Sequence, residues 1–151
     1  MTEAPHAILD TVIYKDNRFL RMGDKSADKI IYNQSAGRLK PAKYFITDAE
    51  RESPKKTDWK IKVFSFLGIC QYTLPYDETH YERYCFVAKP IAMIDSDILD
   101  ACWLTREEII SLSSDLRSPI VFKMLHDFIR ASFYPLSIIR RDNGDDNFTQ
   151  I

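Results

Sequence analysis

No run of apolar residues here approaches the roughly 18–20 needed to span a bilayer. The opening segment MTEAPHAILD lacks the basic-then-apolar order of a signal peptide. A cytoplasmic protein with no membrane partner is therefore expected. Cysteine is scarce and odd in number: Cys70, Cys85 and Cys102 lie far apart, each in an apolar stretch, with no CxxC pair. That pattern argues against a disulfide framework or a cysteine metal site and for buried thiols. His6, His80 and His126 show neither HxxxH nor HExxH spacing, and no Ser/His/Asp or Cys/His pattern is evident. The aromatic strand residues Phe64, Phe66, Tyr72, Tyr81, Tyr84 and Phe86 are not interleaved with basic residues. They read as core and pocket wall, not as a nucleic-acid stacking platform, and no nucleic-acid partner is expected.

Nor is there an overall excess of one charge: the formal net charge is −1. Its distribution is uneven, however. Between residues 38 and 62, eight basic residues (Arg38, Lys40, Lys43, Arg51, Lys55, Lys56, Lys60, Lys62) face four acids (Asp48, Glu50, Glu52, Asp58). Local positive charge of this size can draw in an anion, or it can simply be a solvated face.

At 151 residues the chain is sized for one domain. One domain is expected over residues 1–141, with 142–151 a polar, fraying tail. AILDTVIY and RFLRM read as strands around a polar turn, and IIYNQSAG as a third strand running into a glycine-containing loop. Thr47 to Glu50 matches a capping box, which places a helix start near Asp48. Two long strands follow, IKVFSFLGICQYTL and YERYCFVAKPI, then the short strand DACWL. A second capping box at Thr105 opens a helix through about Leu112. Ser118-Pro119 opens another, with Val121, Leu125, Phe128 and Ile129 on its apolar face. Strands, a helix, strands and two helices, without regular βαβ alternation, predict an α/β protein with a mixed sheet between helical layers.

One spacing is specific. Gly37 is followed after five residues by Lys43, after seven more by Arg51-Glu52, after two by Lys55-Lys56, and after one by Asp58-Trp59. This resembles the Nudix box, in which a glycine, an acid, an Arg-Glu pair, a Glu-Glu pair and a glycine stand at those intervals. Gly37, Arg51 and Glu52 match, and Trp59 suits the apolar last position. Lys43, Lys55 and Lys56 stand where the family has glutamates, Ser53 at an apolar position, and Asp58 at the glycine. The segment Asn33-Gln34-Ser35-Ala36-Gly37 is similar to the Asn-Gln-Pro-Ala-Gly lead-in of the Nudix branch that acts on nucleoside and thiamin diphosphates and triphosphates. Trp103-Leu104-Thr105 with Glu107-Glu108, Leu116 to Pro119, and Tyr134-Pro135-Leu136 resemble the same branch.

The resemblance implies a Nudix-type α/β/α sandwich and attack of water on a diphosphate linkage bridged by Mg²⁺ or Mn²⁺. The family places carboxylates at positions 52, 55 and 56, one turn apart on a helix, to collect those ions. Glu52 is the only box ligand left, so no metal site is expected. Arg51 and Glu52 are then vestigial catalytic residues, because an ammonium has no lone pair for a metal and repels it. Pro54, seventh from a Thr47 cap, removes a helix hydrogen bond at about 3 kcal/mol and predicts a kink or end near Ser53. Asp58 compromises the left-handed turn that a glycine would give, although Asp tolerates it better than most residues.

Several readings stay open. Lys43, Lys55 and Lys56, joined by Arg38 and Lys40, either hold a phosphorylated small molecule directly or form a solvated surface. Asn33 and Gln34 contact a base edge or satisfy strand-end backbone groups. Arg83 lies near the pocket or pairs with Glu82 or another acid. Asp95, Asp97 and Asp100 are hydrated or supply outer carboxylates. Three functions follow: a non-catalytic protein binding a nucleotide or other diphosphate ligand through Asn33, Gln34, Gly37, Lys43, Lys55, Lys56 and Arg83 without a cofactor; an active pyrophosphohydrolase with relocated ligands for Mg or Mn; or a ligand-free interaction module, for instance a homodimer.

Overall fold

The computed structural model describes residues 4–26, 29–33, 35–73, 78–94, 101–111, 125–130 and 133–141; for residues 22–26, 29–33, 35 and 101 only the backbone is described. Seven strands form one sheet: β1 (His6–Lys15), β2 (Arg18–Ser26), β3 (Lys29–Asn33), β4 (Ser35–Arg38), β5 (Trp59–Thr73), β6 (His80–Met93) and β7 (Ala101–Thr105). Their order is β3-β2-β1-β6-β5, with β4 also paired to β1 and β7 to β2. β1 and β6 run parallel, whereas the other named pairs are antiparallel, so the sheet is mixed. Asp16 and Asn17 close the β1–β2 hairpin at φ 52° and 61°, the double left-handed geometry that matches strand twist in a two-residue loop.

The alternation of β1 and β6 sorts the core onto two faces. Leu9, Ile13, Phe86 and Ala88 meet Ala49 of α1 (Phe45–Thr57), together with Ile61, Val63 and Phe66 of β5. Val12, Cys85 and Val87 point the other way, toward Ile109 of α2 (Arg106–Ser111) and toward Leu125 and Phe128 of a helical segment at 125–129. Helices thus cover both faces of a mixed sheet, which is the α/β/α arrangement anticipated from the element order.

At the second capping box the hydroxyl cap forms as expected, the Thr105 hydroxyl accepting the Glu108 N–H at 3.2 Å, while the Glu108 carboxylate accepts from that hydroxyl at 3.1 Å. The first box does not form. α1 begins at Phe45, with Tyr44 as an N-cap that makes no side-chain bond, and Thr47 is exposed inside the helix. Packing overrides the local signal here. Phe45 and Ile46 pack against the first core cluster, and the Phe45 ring stacks on Tyr84 at 4.3 Å. Glu50 accepts the Val63 N–H at 3.1 Å across to β5 instead of reaching back to Thr47.

Pro54 does not end the helix, which continues to Thr57. Hydrogen bonds hold the turn around it. Thr57 Oγ1 donates to the Ser53 carbonyl at 2.8 Å, and the Asp58 N–H donates to the Pro54 carbonyl at 2.9 Å. Asp58 itself takes the left-handed cap, φ 64° and ψ 13°. Gly37 lies within β4 opposite Leu9, not in a loop. Ile129, assigned to an apolar face, is 42% exposed, while Leu125 is buried. Of the three thiols only Cys85 is buried. The helix start at Ser118, Asp95, Asp97, Asp100 and the tail 142–151 lie outside the described residues.

The cap at Asp58 yields a stability prediction. A non-glycine residue in this conformation carries about 1 kcal/mol of strain or more, and Asp58 Oδ2 is buried without a hydrogen-bond partner. Asp58→Gly is expected to stabilise by about 1 kcal/mol, raising Tm by roughly 2–4 °C. Thermal unfolding followed by circular dichroism reads this directly; an unchanged or lower Tm would count against the strain.

Candidate functional site

α1 lies across β1 and β4 so that Asp48, Glu52 and Lys56, at intervals of four, face one small cavity. Leu9 and Thr11 of β1 and Ala36, Gly37 and Arg38 of β4 form its opposite wall. The cavity measures about 20 Å³, room for about one water molecule.

Glu52 is ringed by cations. Its Oε1 lies 3.1 Å from Lys40 Nζ, 3.3 Å from Arg51 Nη2 and 3.5 Å from Lys55 Nζ. The hydrogen bond from Lys40 is the largest cause holding Glu52 below its usual pKa; burial opposes it, and the charges of Lys40, Lys55 and Arg51 add to it. Arg51 Nη2 also donates to Oδ1 of buried Asp48.

Lys56 takes a different route. Its ammonium donates to the backbone carbonyl of Ala36 on β4, beside Gly37. A Cβ on Gly37 would lie 2.7 Å from Lys56 Nζ, so the missing side chain is what admits the ammonium.

The family's ions fit this arrangement poorly. One feature would suit a cation: Asp48 Oδ2 is buried without a hydrogen-bond partner. Against it stand the ammonium on the Ala36 carbonyl and the three cations sharing Glu52 Oε1. Among the described residues no group of three His, Cys, Asp or Glu side chains converges as metal ligands.

The other candidates fall elsewhere. Lys43 lines a second cavity at the opposite end of α1. Asn33 ends β3 opposite Met22, and Gln34 lies outside the described residues. Arg83 points to the far face of the sheet, where its acid is Asp10 on β1, not Glu82. It also donates from Nε to the Tyr72 hydroxyl at 3.1 Å and lies 5.6 Å over that ring. Burial works to lower the Arg83 pKa, but the Asp10 charge and the Tyr72 contacts outweigh it and the net shift is upward. Arg21, almost fully buried on the same face, is lowered to about 10 by burial, with Asp10 and then Cys102 opposing. Burial raises the Cys85 and Cys102 thiols above the ordinary range, which makes both poor nucleophiles.

Sequence reasoning passed over Asp48, Asp10 and Arg21 as site residues, while Lys40, grouped there with the phosphate-binding lysines, pairs with Glu52. Asp48 was detectable, four residues before Glu52 on one helical face. Asp10 was detectable as the charged residue in phase with Val12, which is buried.

Comparison with known proteins agrees with the fold. No family model matches the chain. It is 31% identical over 150 residues to Phosphatase NudJ of Escherichia coli K12, covering 95% of this chain and 94% of that protein, and equally to its Shigella flexneri counterpart. A NUDIX hydrolase from Nitrosomonas europaea superposes with a TM-score of 0.83 at 26% identity, over 93% of this chain and 99% of that one. A UDP-X diphosphatase shares the fold at 14% identity, with a TM-score of 0.66 over 87% of this chain and 66% of its own. The chain belongs to the Nudix superfamily. Among the described residues no helix is long and apolar enough to cross a membrane.

Arg83→Leu would leave Asp10 charged at 0% exposure. Removing one partner of a buried pair costs about 3–5 kcal/mol, with the nearby Arg21 drawing the value toward the low end. Urea unfolding at neutral pH is expected to show that loss. A change below about 1 kcal/mol would mean that the pair behaves as a surface ion pair.

Proposed function

We propose that this Nudix protein does not hydrolyse diphosphates by the metal-dependent route of its superfamily, and that it binds a phosphorylated small molecule, such as a nucleotide, without metal. The observation that carries this reading is the Lys56 ammonium on the Ala36 carbonyl, beside Gly37 and facing the cavity it shares with Glu52. When bound, Mg²⁺ would polarise the phosphoryl oxygens and help activate water. Here a tethered monovalent cation lines the cavity with Glu52 and offers no open coordination sites.

Around the cavity mouth, Lys40, Arg51, Lys55 and Lys56 outnumber Asp48 and Glu52 by two charges. Lys40 and Lys55 are more than half exposed, so both can turn from Glu52 to a phosphate at little cost. An ammonium is a flexible point-charge partner for phosphate, which suits a diphosphate chain lying along the surface. Chelators should leave such binding unchanged, and salt should weaken it.

A second reading has its own support. The unpartnered Asp48 Oδ2 beside Glu52 is a pair of carboxylates that could hold one ion once Lys56 swings away. In that case the protein is a slow hydrolase acting on nucleoside or thiamin diphosphates and triphosphates.

The deciding experiment is hydrolysis of that substrate panel with millimolar Mg²⁺ or Mn²⁺, run on the native protein and on the Lys55→Glu, Lys56→Glu double variant. A silent native protein and an active variant are the expected pair. Native turnover abolished by Glu52→Gln and by Asp48→Asn would instead establish the one-ion hydrolase. Calorimetric titration of the same compounds in a chelator then tests binding, and its absence would remove the ligand from this reading.

A further inference from the structure

At the N-terminal end of α1 lies a separate, much larger cavity of about 450 Å³, which shares no lining residue with the one at Gly37 and Glu52. Leu39, Phe45, Ile46 and Ile139 supply an apolar wall. Around it stand Lys43, Arg140 and Arg141, with the Arg141 guanidinium 3.8 Å over the ring of Tyr44. Among the described residues, no acid lines the cavity. Lys40, Arg51 and Lys55 at the other site each have a carboxylate within 4 Å, yet Lys43, Arg140 and Arg141 have no ion-pair partner among the described residues.

Three cations gathered with no counter-charge among the described residues repel one another, and an anion between them removes that repulsion. Two adjacent arginines favour a planar or tetrahedral oxyanion, which they grip through paired N–H donors. The volume falls within the range of small-molecule sites, and the mixture of apolar wall and few polar groups is their usual composition. We infer that this cavity binds a small organic anion: a phosphate or carboxylate held by Arg140, Arg141 and Lys43, on a flat apolar body lying against Phe45, Ile46 and Ile139. The stacked Arg141–Tyr44 pair forms one side of the site, with the guanidinium oriented by the ring. Lys43, which the sequence groups with Lys55 and Lys56, belongs to this site.

The test uses the full chain, in a chelator, with 1-naphthyl phosphate as the probe and inorganic phosphate and naphthalene-1-methanol as its two halves. Calorimetry gives the affinity, and amide shifts in an isotope-labelled sample give the location. Saturable binding is expected, with shifts concentrated at Tyr44–Thr47 and Ile139–Arg141. Each half should bind at least about tenfold more weakly than the whole. Arg140→Gln with Arg141→Gln should weaken the probe by about tenfold or more, without altering the circular dichroism, since both positions are exposed. Raising salt from about 50 to about 500 mM should weaken it as well. No saturable binding, or an affinity indifferent to the two arginines, overturns the site. So do shifts that appear at Gly37, Glu52 and Lys56 and vanish in Lys56→Gln; that result would leave the proposed phosphate-binding role of the box standing and assign the probe to it.

Discussion

The parallel pairing of β1 with β6 is the constraint on which the remaining structure rests. Residues 6–13 lie beside 81–88 in an unbroken register, and Phe86, Val87 and Ala88 are wholly withdrawn from solvent. Because side chains alternate, this ribbon decides which residues meet α1 and which meet α2. A slip of one residue would send Phe86 and Val87 to each other's faces. A slip of two would preserve the faces, and hydrophobic contacts alone would resist it weakly. The Asp10–Arg83 pair runs diagonally across the register, Arg83 lying opposite Ile8 and Asp10 opposite Cys85, so it resists the slip that carries Asp10 toward Val87, which would separate a buried acid from its cation. The functional wall depends on the same ribbon. β4 carries Ala36 and Gly37, and it is registered on Leu9 and Asp10 of β1.

In the family pattern a helix of glutamates is neutralised by divalent cations. Here the helix carries its own cations, and one carboxylate oxygen, Glu52 Oε1, is shared among Arg51 and Lys55 of the helix and Lys40 of the loop before it. Such exposed pairs contribute little stability individually, so the helix must be held by something else. Its anchors are apolar and backbone contacts: Phe45 on Tyr84, Ala49 in the core, and the Glu50 carboxylate on the Val63 amide. The chemistry of the box could therefore change sign without disturbing the scaffold, and the Asp58 cap shows the backbone path surviving even the loss of its glycine.

How legible this was in the sequence follows from which forces act at each place. The strands and the β1–β2 hairpin were readable because alternation and turn chemistry are local. The Thr105 capping box was readable because nothing nearby competes with it. The Thr47 box was not, because Phe45 and Ile46 gain more from burial against the sheet than a hydroxyl cap offers. Pro54 misled for a related reason. A missing N–H costs one hydrogen bond, while the turn around it is secured by Thr57, Asp58 and the packing of Ser53 beneath it. At the site, the spacing of Glu52, Lys55 and Lys56 placed all three on α1 correctly. What spacing could not supply was direction: Lys56 turns inward to a carbonyl on β4, Lys55 stays outside on Glu52, and Arg83 lies on the opposite face. Those choices depend on which strand passes nearby, and that is long-range information.

Charge counted along the chain blurs one more distinction. The net positive segment from Arg38 to Lys62 reads as a single basic patch, but α1 divides it. A 13-residue helix is about 20 Å long, and Lys43 and Lys56 stand at its two ends. Screening at physiological ionic strength acts over about 8 Å, so exposed charges at one end scarcely feel those at the other. The cations around Glu52 are in contact with its carboxylate or with a backbone carbonyl. Those at the N-terminal end, joined by Arg140 and Arg141 from the far end of the described chain, have no such partner among the described residues. A segment that looks like one site in sequence is two electrostatically independent surfaces in space. At the box, whose spacing draws attention first, each cation already has a partner that a phosphate would have to replace.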